Sequence, residues 1–100
     1  MTLDDIVTKI SQKAAMAPSF GHTALFDFDD DGCVFLDGTQ SPAVITTERQ
    51  DAEVTLATSL DTFAKILSGE SDPNFAFLMG KLKIRGSMGL ALKLNSLLES

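Results

Sequence analysis

Apolar residues recur along this chain with two different periods, and the changes of period divide it into elements. Leu3, Ile6, Val7, Ile10 and Ala14 fall at helical spacing. This predicts a helix over 3–16, with Thr2 as N-cap and Pro18 beyond its end. The period then drops to two. Ala24, Phe26 and Phe28 alternate with Thr23, Leu25 and Asp27, the pattern of a half-buried strand. Asp30-Asp31-Gly32 is a turn, because glycine takes positive φ freely and aspartate side chains bond their own backbone. Cys33 to Leu36 returns as a second strand, Asp37-Gly38 turns again, and Pro42 opens a short third strand, Ala43 to Thr46. Glu53 to Ser59, with Val54 and Leu56 on one face, is a fourth. In succession these strands read as an antiparallel meander.

The second half changes character. Asp61 is placed to cap a helix carrying Phe63, Ile66 and Leu67, which Gly69 stops. Asp72-Pro73 supplies a cap and a first-turn proline for a short helix ending at Gly80. Lys81 to Gly86 alternates strictly, so Leu82 and Ile84 face inward while Lys81, Lys83 and Arg85 face out. A final helix runs from Met88 to Leu98. Helix, four strands, two helices, strand and helix make an α+β pattern. At about 100° per residue, Leu90, Ala91, Leu94, Leu97 and Leu98 share an arc of about 120°, an ordinary core-facing stripe. Met88 and Leu92 lie on another side of that helix. It therefore has nearly two apolar faces, and is expected to be covered twice: by the sheet and by something else.

Composition narrows the classes of function. One hundred residues form one domain, 1–100, with room for a single core. The longest apolar run, Phe75 to Met79, is far shorter than the roughly 18 residues of a membrane span. Asp4 and Asp5 stand where a signal peptide carries bases, and the single cysteine, Cys33, cannot form an internal disulfide. A reducing, cytoplasmic setting is expected. The net charge of −6 argues against nucleic acid as a partner. That charge is unevenly spread: residues 1–60 carry −7 and residues 61–100 carry +1.

No enzyme signature is present. Asp27-x-Asp29-x-Asp31-Gly32 opens like a calcium loop, but position twelve is Gly38 rather than a bidentate Glu, and strands rather than helices flank it. His22, the only histidine, and Cys33 are too few for a zinc site, and both read as structural. Gly86-Ser87-Met88-Gly89 lacks the spacing of a nucleophile elbow, and Gly80-Lys81 lacks that of a phosphate loop. The two features left are an apolar excess in residues 60–98 and the Lys81, Lys83, Arg85 face. The excess is either a filled core or an apolar pocket, to which Met79 and Met88 would bring adaptable thioethers. The basic face is either a protected strand edge or a weak contact with anionic lipid headgroups.

The run Ser71-Asp72-Pro73-Asn74-Phe75-Ala76-Phe77-Leu78-Met79-Gly80-Lys81-Leu82-Lys83-Ile84-Arg85-Gly86-Ser87-Met88 closely resembles the sterol carrier protein type-2 domain family. Leu90 to Leu94 continues the likeness, as do Leu60 to Ile66 before Gly69 and the Phe26-Asp27 strand with its Asp-Gly turn. The resemblance is strong over 53–97 and looser over 1–50. It implies a five-stranded, mostly antiparallel sheet with helices packed on it, enclosing an apolar tunnel. It further implies non-catalytic binding, and transfer, of a fatty acid, acyl-coenzyme A, sterol-like molecule or phospholipid, with no cofactor. Carried over, the lining candidates are Phe63, Ile66, Phe75, Leu78, Met79, Ile84, Met88 and Leu92. The sequence ends at Ser100 without a Ser-Lys-Leu signal or the longer tail of some members. The tunnel is thus expected to be open on that side or closed by another copy. The alternative is a protein–protein or homodimerisation module of the same fold with a filled core, so both monomer and homodimer stay open.

Overall fold

Helix α1 (Leu3–Met16) starts at a reciprocal cap in the computed structural model, which describes residues 2–16, 20–40 and 43–99, the side chains at 16 and 97–99 excepted. The Asp5 N–H donates to Thr2 Oγ1 (3.2 Å), and the Asp5 carboxylate accepts from the Thr2 N–H (3.0 Å). Ile6 and Ile10 on its inner face are fully buried. Pro18 and Pro42 lie outside the described residues, as do the side chains of Leu97 and Leu98.

Five strands follow the predicted positions: β1 (Thr23–Asp27), β2 (Cys33–Asp37), β3 (Val44–Thr46), β4 (Val54–Thr58) and β5 (Leu82–Gly86). They form one sheet in the order β3-β2-β1-β4-β5. Three of the pairings are antiparallel, and β1 with β4 is parallel. The first three strands are the expected meander, but β4 is not its fourth member. The chain leaves β3 at one edge, crosses β2 and β1, and enters beside β1 with Phe26 opposite Leu56.

The crossing segment, 47–53, straps the sheet face away from the helices. Beneath it Leu25, Cys33 and Phe35 form a small second cluster with Ala52. Among the bonds that fasten the strap, Cys33 Sγ donates to the Thr47 carbonyl (3.5 Å), Arg49 Nη1 sits 2.8 Å from Asp27 Oδ1, and the Glu53 N–H donates to Thr23 Oγ1 (3.0 Å). This corrects the half-buried reading of β1, since Leu25 is covered as well as Phe26. Strands covered on both faces read as continuous apolar runs, as Val34-Phe35-Leu36 does.

The helices pack on the other face. Helix α2 (Leu60–Ser68) is capped by Ser59, whose Oγ accepts from the Thr62 N–H (3.0 Å). Asp61, the expected cap, lies in the first turn instead and pairs with Lys65 at 3.6 Å. Gly69, at φ +83°, ends the helix as expected. Helix α3 (Pro73–Leu78) begins at the Asp72 cap with Pro73 in its first turn. Helix α4 (Met88–Glu99) starts where Ser87 Oγ accepts from the Leu90 N–H (3.3 Å). At the centre, Phe63 of α2 meets Phe26 and Phe28, ring centroids 5.1 and 5.2 Å away.

Gly86 is fixed by a close approach. Its φ is +94°, and a Cβ there would stand 2.3 Å from the Glu53 carbonyl oxygen. Gly86→Ala should therefore cost roughly 2–4 kcal/mol, read as a lower urea midpoint. A second expectation concerns acid. The Arg49 guanidinium, aided by the Asp29 N–H, holds the Asp27 carboxyl below the usual carboxylate range. A depressed pKa stabilises the fold above about pH 4, and that contribution disappears as pH falls through the folded value. Arg49→Ala should flatten the acid-side fall in Tm, measured from pH 5 down to pH 3.

Candidate functional site

The two-faced character of α4 has a direct structural counterpart. Ala91 and Leu94 are buried in the main core and Leu90 packs against it. Met88 and Leu92, on the other side, are more than half exposed at 51% and 61%. Facing them is α3, which the proline start and the Asp72 cap hold at the end of β5. Pro73 and Ala76 anchor α3 in the core, while Phe77 turns toward α4. Between the two helices runs an apolar groove of about 60 Å³. Leu56, Leu82 and Ile84 come from the sheet beneath it, Pro73, Asn74 and Phe77 from α3, and Met88, Ala91, Leu92 and Asn95 from α4.

The structure brings three of the eight lining candidates together here: Ile84, Met88 and Leu92. Phe63 and Ile66 are buried in the core, Phe63 against the rings of β1 and the turn after it. Ile66 also borders a separate shallow depression with Lys13 and Gly69. Phe75, Leu78 and Met79 project from the outer side of α3 and are exposed. Among the residues that sequence reasoning missed, Phe77 follows Pro73 by one helical turn, and Asn95 continues the Met88–Leu92 row at i+7. Those spacings were the available signal.

The groove is narrow for a lipid. At about 60 Å³ it is well below the roughly 300–1,000 Å³ of sites for drug-sized ligands. Its polar groups are the amides Asn74 and Asn95, and among the described residues no ionisable side chain lines it. The arrangement offers apolar contact and amide hydrogen bonds but no acid, base or nucleophile.

The remaining candidates lie elsewhere. Lys81, Lys83 and Arg85 are exposed and border a shallow depression of about 500 Å³ on the strapped side of the sheet. Asp27 and the turn Asp29–Asp31 face them across it. His22 stands at the start of β1, with Nδ1 3.2 Å from Glu53 Oε2, while Cys33 lies at the far end of the same hairpin. The Thr23 N–H, followed by His22, holds the Glu53 carboxyl below its usual range. Asp27 is engaged by Arg49, and among the described residues no three His, Cys, Asp or Glu side chains converge as metal ligands.

Comparison with known proteins decides the family. The model of the SCP-2 sterol transfer family matches residues 3–99. The chain belongs to that family. Human "Hydroxysteroid dehydrogenase-like protein 2" is 36% identical over 98% of this chain, which corresponds to 22% of that protein's length. Human "Sterol carrier protein 2" is 38% identical over 55% of this chain and 10% of its own. The chain thus spans a quarter or less of these curated relatives. Among solved structures, sterol carrier protein 2 from Aedes aegypti, in complex with palmitate, superimposes with a TM-score of 0.79. That match is at 19% identity and covers 98% of this chain and 96% of that one. A second Aedes aegypti member, sterol carrier protein 2 like 2, gives 0.76 at 17% identity over 94% of each chain. The α+β architecture, with its five-stranded, mostly antiparallel sheet, is thus that of the SCP-2 fold.

Placement separates the candidates energetically. Phe63→Ala should cost about 3–5 kcal/mol, because it empties the ring cluster. Met88→Lys and Leu92→Lys should stay within about 0.5 kcal/mol of the parent, since both side chains already meet solvent. Urea unfolding of the three variants checks this.

Proposed function

We propose that this domain, residues 1–100, binds one apolar lipid in the groove between α3 and α4 and carries it without chemical change. The observation that carries the reading is the second apolar face of α4: Met88 and Leu92, more than half exposed and set opposite Phe77 and Ile84. The palmitate complex of the Aedes aegypti protein of the same fold supports a fatty acyl chain as the ligand class. Burial contributes about 0.8 kcal/mol per CH₂, so a C16 chain has a gross gain of about 12 kcal/mol before ordering costs. Uptake requires the groove to widen, and α3 is the wall suited to move: it is short and anchored through Pro73 and Ala76. Met88 has the unbranched, polarizable side chain that adapts to a chain of variable shape. A lining of apolar side chains with the amides Asn74 and Asn95 supports carriage of a lipid. The single buried thiol, Cys33, suits a cytoplasmic setting.

A second reading, a homodimerisation module, draws on the same uncovered face. Sedimentation at increasing concentration separates the two, since a monomer that carries lipid supports the carrier and a concentration-dependent dimer supports the module. The direct test is native mass spectrometry on protein purified without detergent, followed by displacement of a fluorescent fatty acid. An adduct that extracts as lipid is expected. Met88→Lys and Leu92→Lys should each weaken fluorescent fatty acid binding at least tenfold with an unchanged circular dichroism spectrum. Met79→Lys, outside the groove, should stay within about twofold. Unchanged binding in the first two variants would overturn the groove as the site.

A further inference from the structure

Strand β5 forms one edge of the sheet, and only its β4 side is paired. The ladder decides which of its backbone groups face outward. The Ser87 N–H donates to the Glu53 carbonyl (3.5 Å), which extends the register by one pair. By antiparallel alternation, Arg85 and Lys83 then also turn their backbone groups toward β4. Those of Leu82, Ile84 and Gly86 point the other way. Among the described residues, no hydrogen bond is made to the outward N–H and carbonyl groups of Ile84 and Gly86. Leu82 is buried at the α3 end of the strand, Ile84 is half-buried and Gly86 is exposed. The side chains along this edge alternate in character. Ile84 faces the groove, while Lys83 and Arg85 stand exposed on the strapped side. The opposite edge, β3, is Val44-Ile45-Thr46 and carries no charge.

We propose that the outer edge of β5 receives an extended segment of a partner protein in which acidic and apolar side chains alternate. The segment adds a sixth strand: main-chain groups supply the bonding and the alternation supplies the selection. Its acids lie on the strapped side beside Lys83 and Arg85, where opposite charges pair favourably across strands. Its apolar side chains lie on the groove side next to Ile84. The acids already facing Lys83 and Arg85 do not cancel this attraction. Asp27 and the turn Asp29–Asp31 belong to β1 and its hairpin, and β4 separates β1 from β5. At about 4.8 Å per strand, an added strand lies about 5 Å from β5 and about 14 Å from β1. Exposed charges more than about 8–10 Å apart are largely screened, so Lys83 and Arg85 dominate. A second copy is the occupant that charge opposes. Two β5 edges paired about a twofold axis would set these cations against their own copies, and like charges opposite one another destabilise a pairing. Cations on an edge strand guard against pairing with other sheets, and this guard admits a strand of opposite charge. The edge serves in this way whether or not the groove carries lipid.

The test uses a synthetic peptide, Thr-Val-Glu-Val-Glu-Val-Thr, blocked at both ends, and its counterpart with lysine in place of glutamate. Affinity is read by fluorescence anisotropy of the labelled peptides, and amide hydrogen exchange by NMR of the protein with and without peptide. The glutamate peptide should bind at least tenfold more tightly than the lysine peptide at low salt, and high salt should narrow the difference. At saturation it should slow exchange of the Ile84 and Gly86 amides at least tenfold. The Lys83 and Arg85 amides, already turned toward β4, should change little. Lys83→Glu with Arg85→Glu should invert the preference between the peptides. Both side chains are exposed, so that variant should keep an unchanged circular dichroism spectrum. No binding of the glutamate peptide, equal binding of the two, or unchanged exchange at Ile84 and Gly86 would overturn the proposal. So would a concentration-dependent dimer that protects the same two amides without peptide, since the edge would then belong to a second copy. Peptide-dependent protection in a protein that takes up no fatty acid would support this edge and overturn the groove reading alone.

Discussion

The rest of the structure depends on the way β1 is enclosed. It pairs with β2 on one side and with β4 on the other, and side chains cover it above and below. Phe26 and, just beyond the strand, Phe28 meet Phe63 on the helix side. Leu25 lies with Phe35 and Cys33 under the strap on the other. All three rings are phenylalanine, so the cluster buries apolar area without a polar atom to satisfy. The parallel entry of β4 follows from the strap. A chain that must cross β2 and β1 before pairing cannot return as the next strand of a meander. By bringing β4 and then β5 to the far edge, it also builds the floor of the groove.

That edge is where the fold has more apolar surface than it covers. Leu90, Ala91 and Leu94 are accounted for by the core, and a conventional surface helix would carry polar residues at Met88 and Leu92. Helix α3 covers only part of the excess, because Pro73 and Ala76 reach the core while Phe75, Leu78 and Met79 do not. Their exposure forfeits part of the roughly 1.5–3 kcal/mol that full burial of each would contribute. Their persistence outside is what an apolar guest or an apolar surface would compensate.

Much of the fold was legible because caps, turns and periods are local. Thr2, Gly69 and the Asp72-Pro73 pair mark boundaries through bonds made within a few residues, and the alternation of Leu82 with Ile84 sets which face of β5 points inward. The β1–β4 partnership was not legible, since a period of two tells which face a side chain joins and not which strand lies beside it. The burial of Leu25 escaped for the same reason: its cover comes from 47–53. The site divided likewise. Turning α4 through 100° per residue singled out Met88 and Leu92, and the structure sets Ile84 beside them. Phe63 and Ile66 form an apolar stripe of the same kind, yet a stripe does not say whether it faces side chains or open space. On α3, too short for a period to establish itself, Phe77 was passed over while its outward neighbours were named.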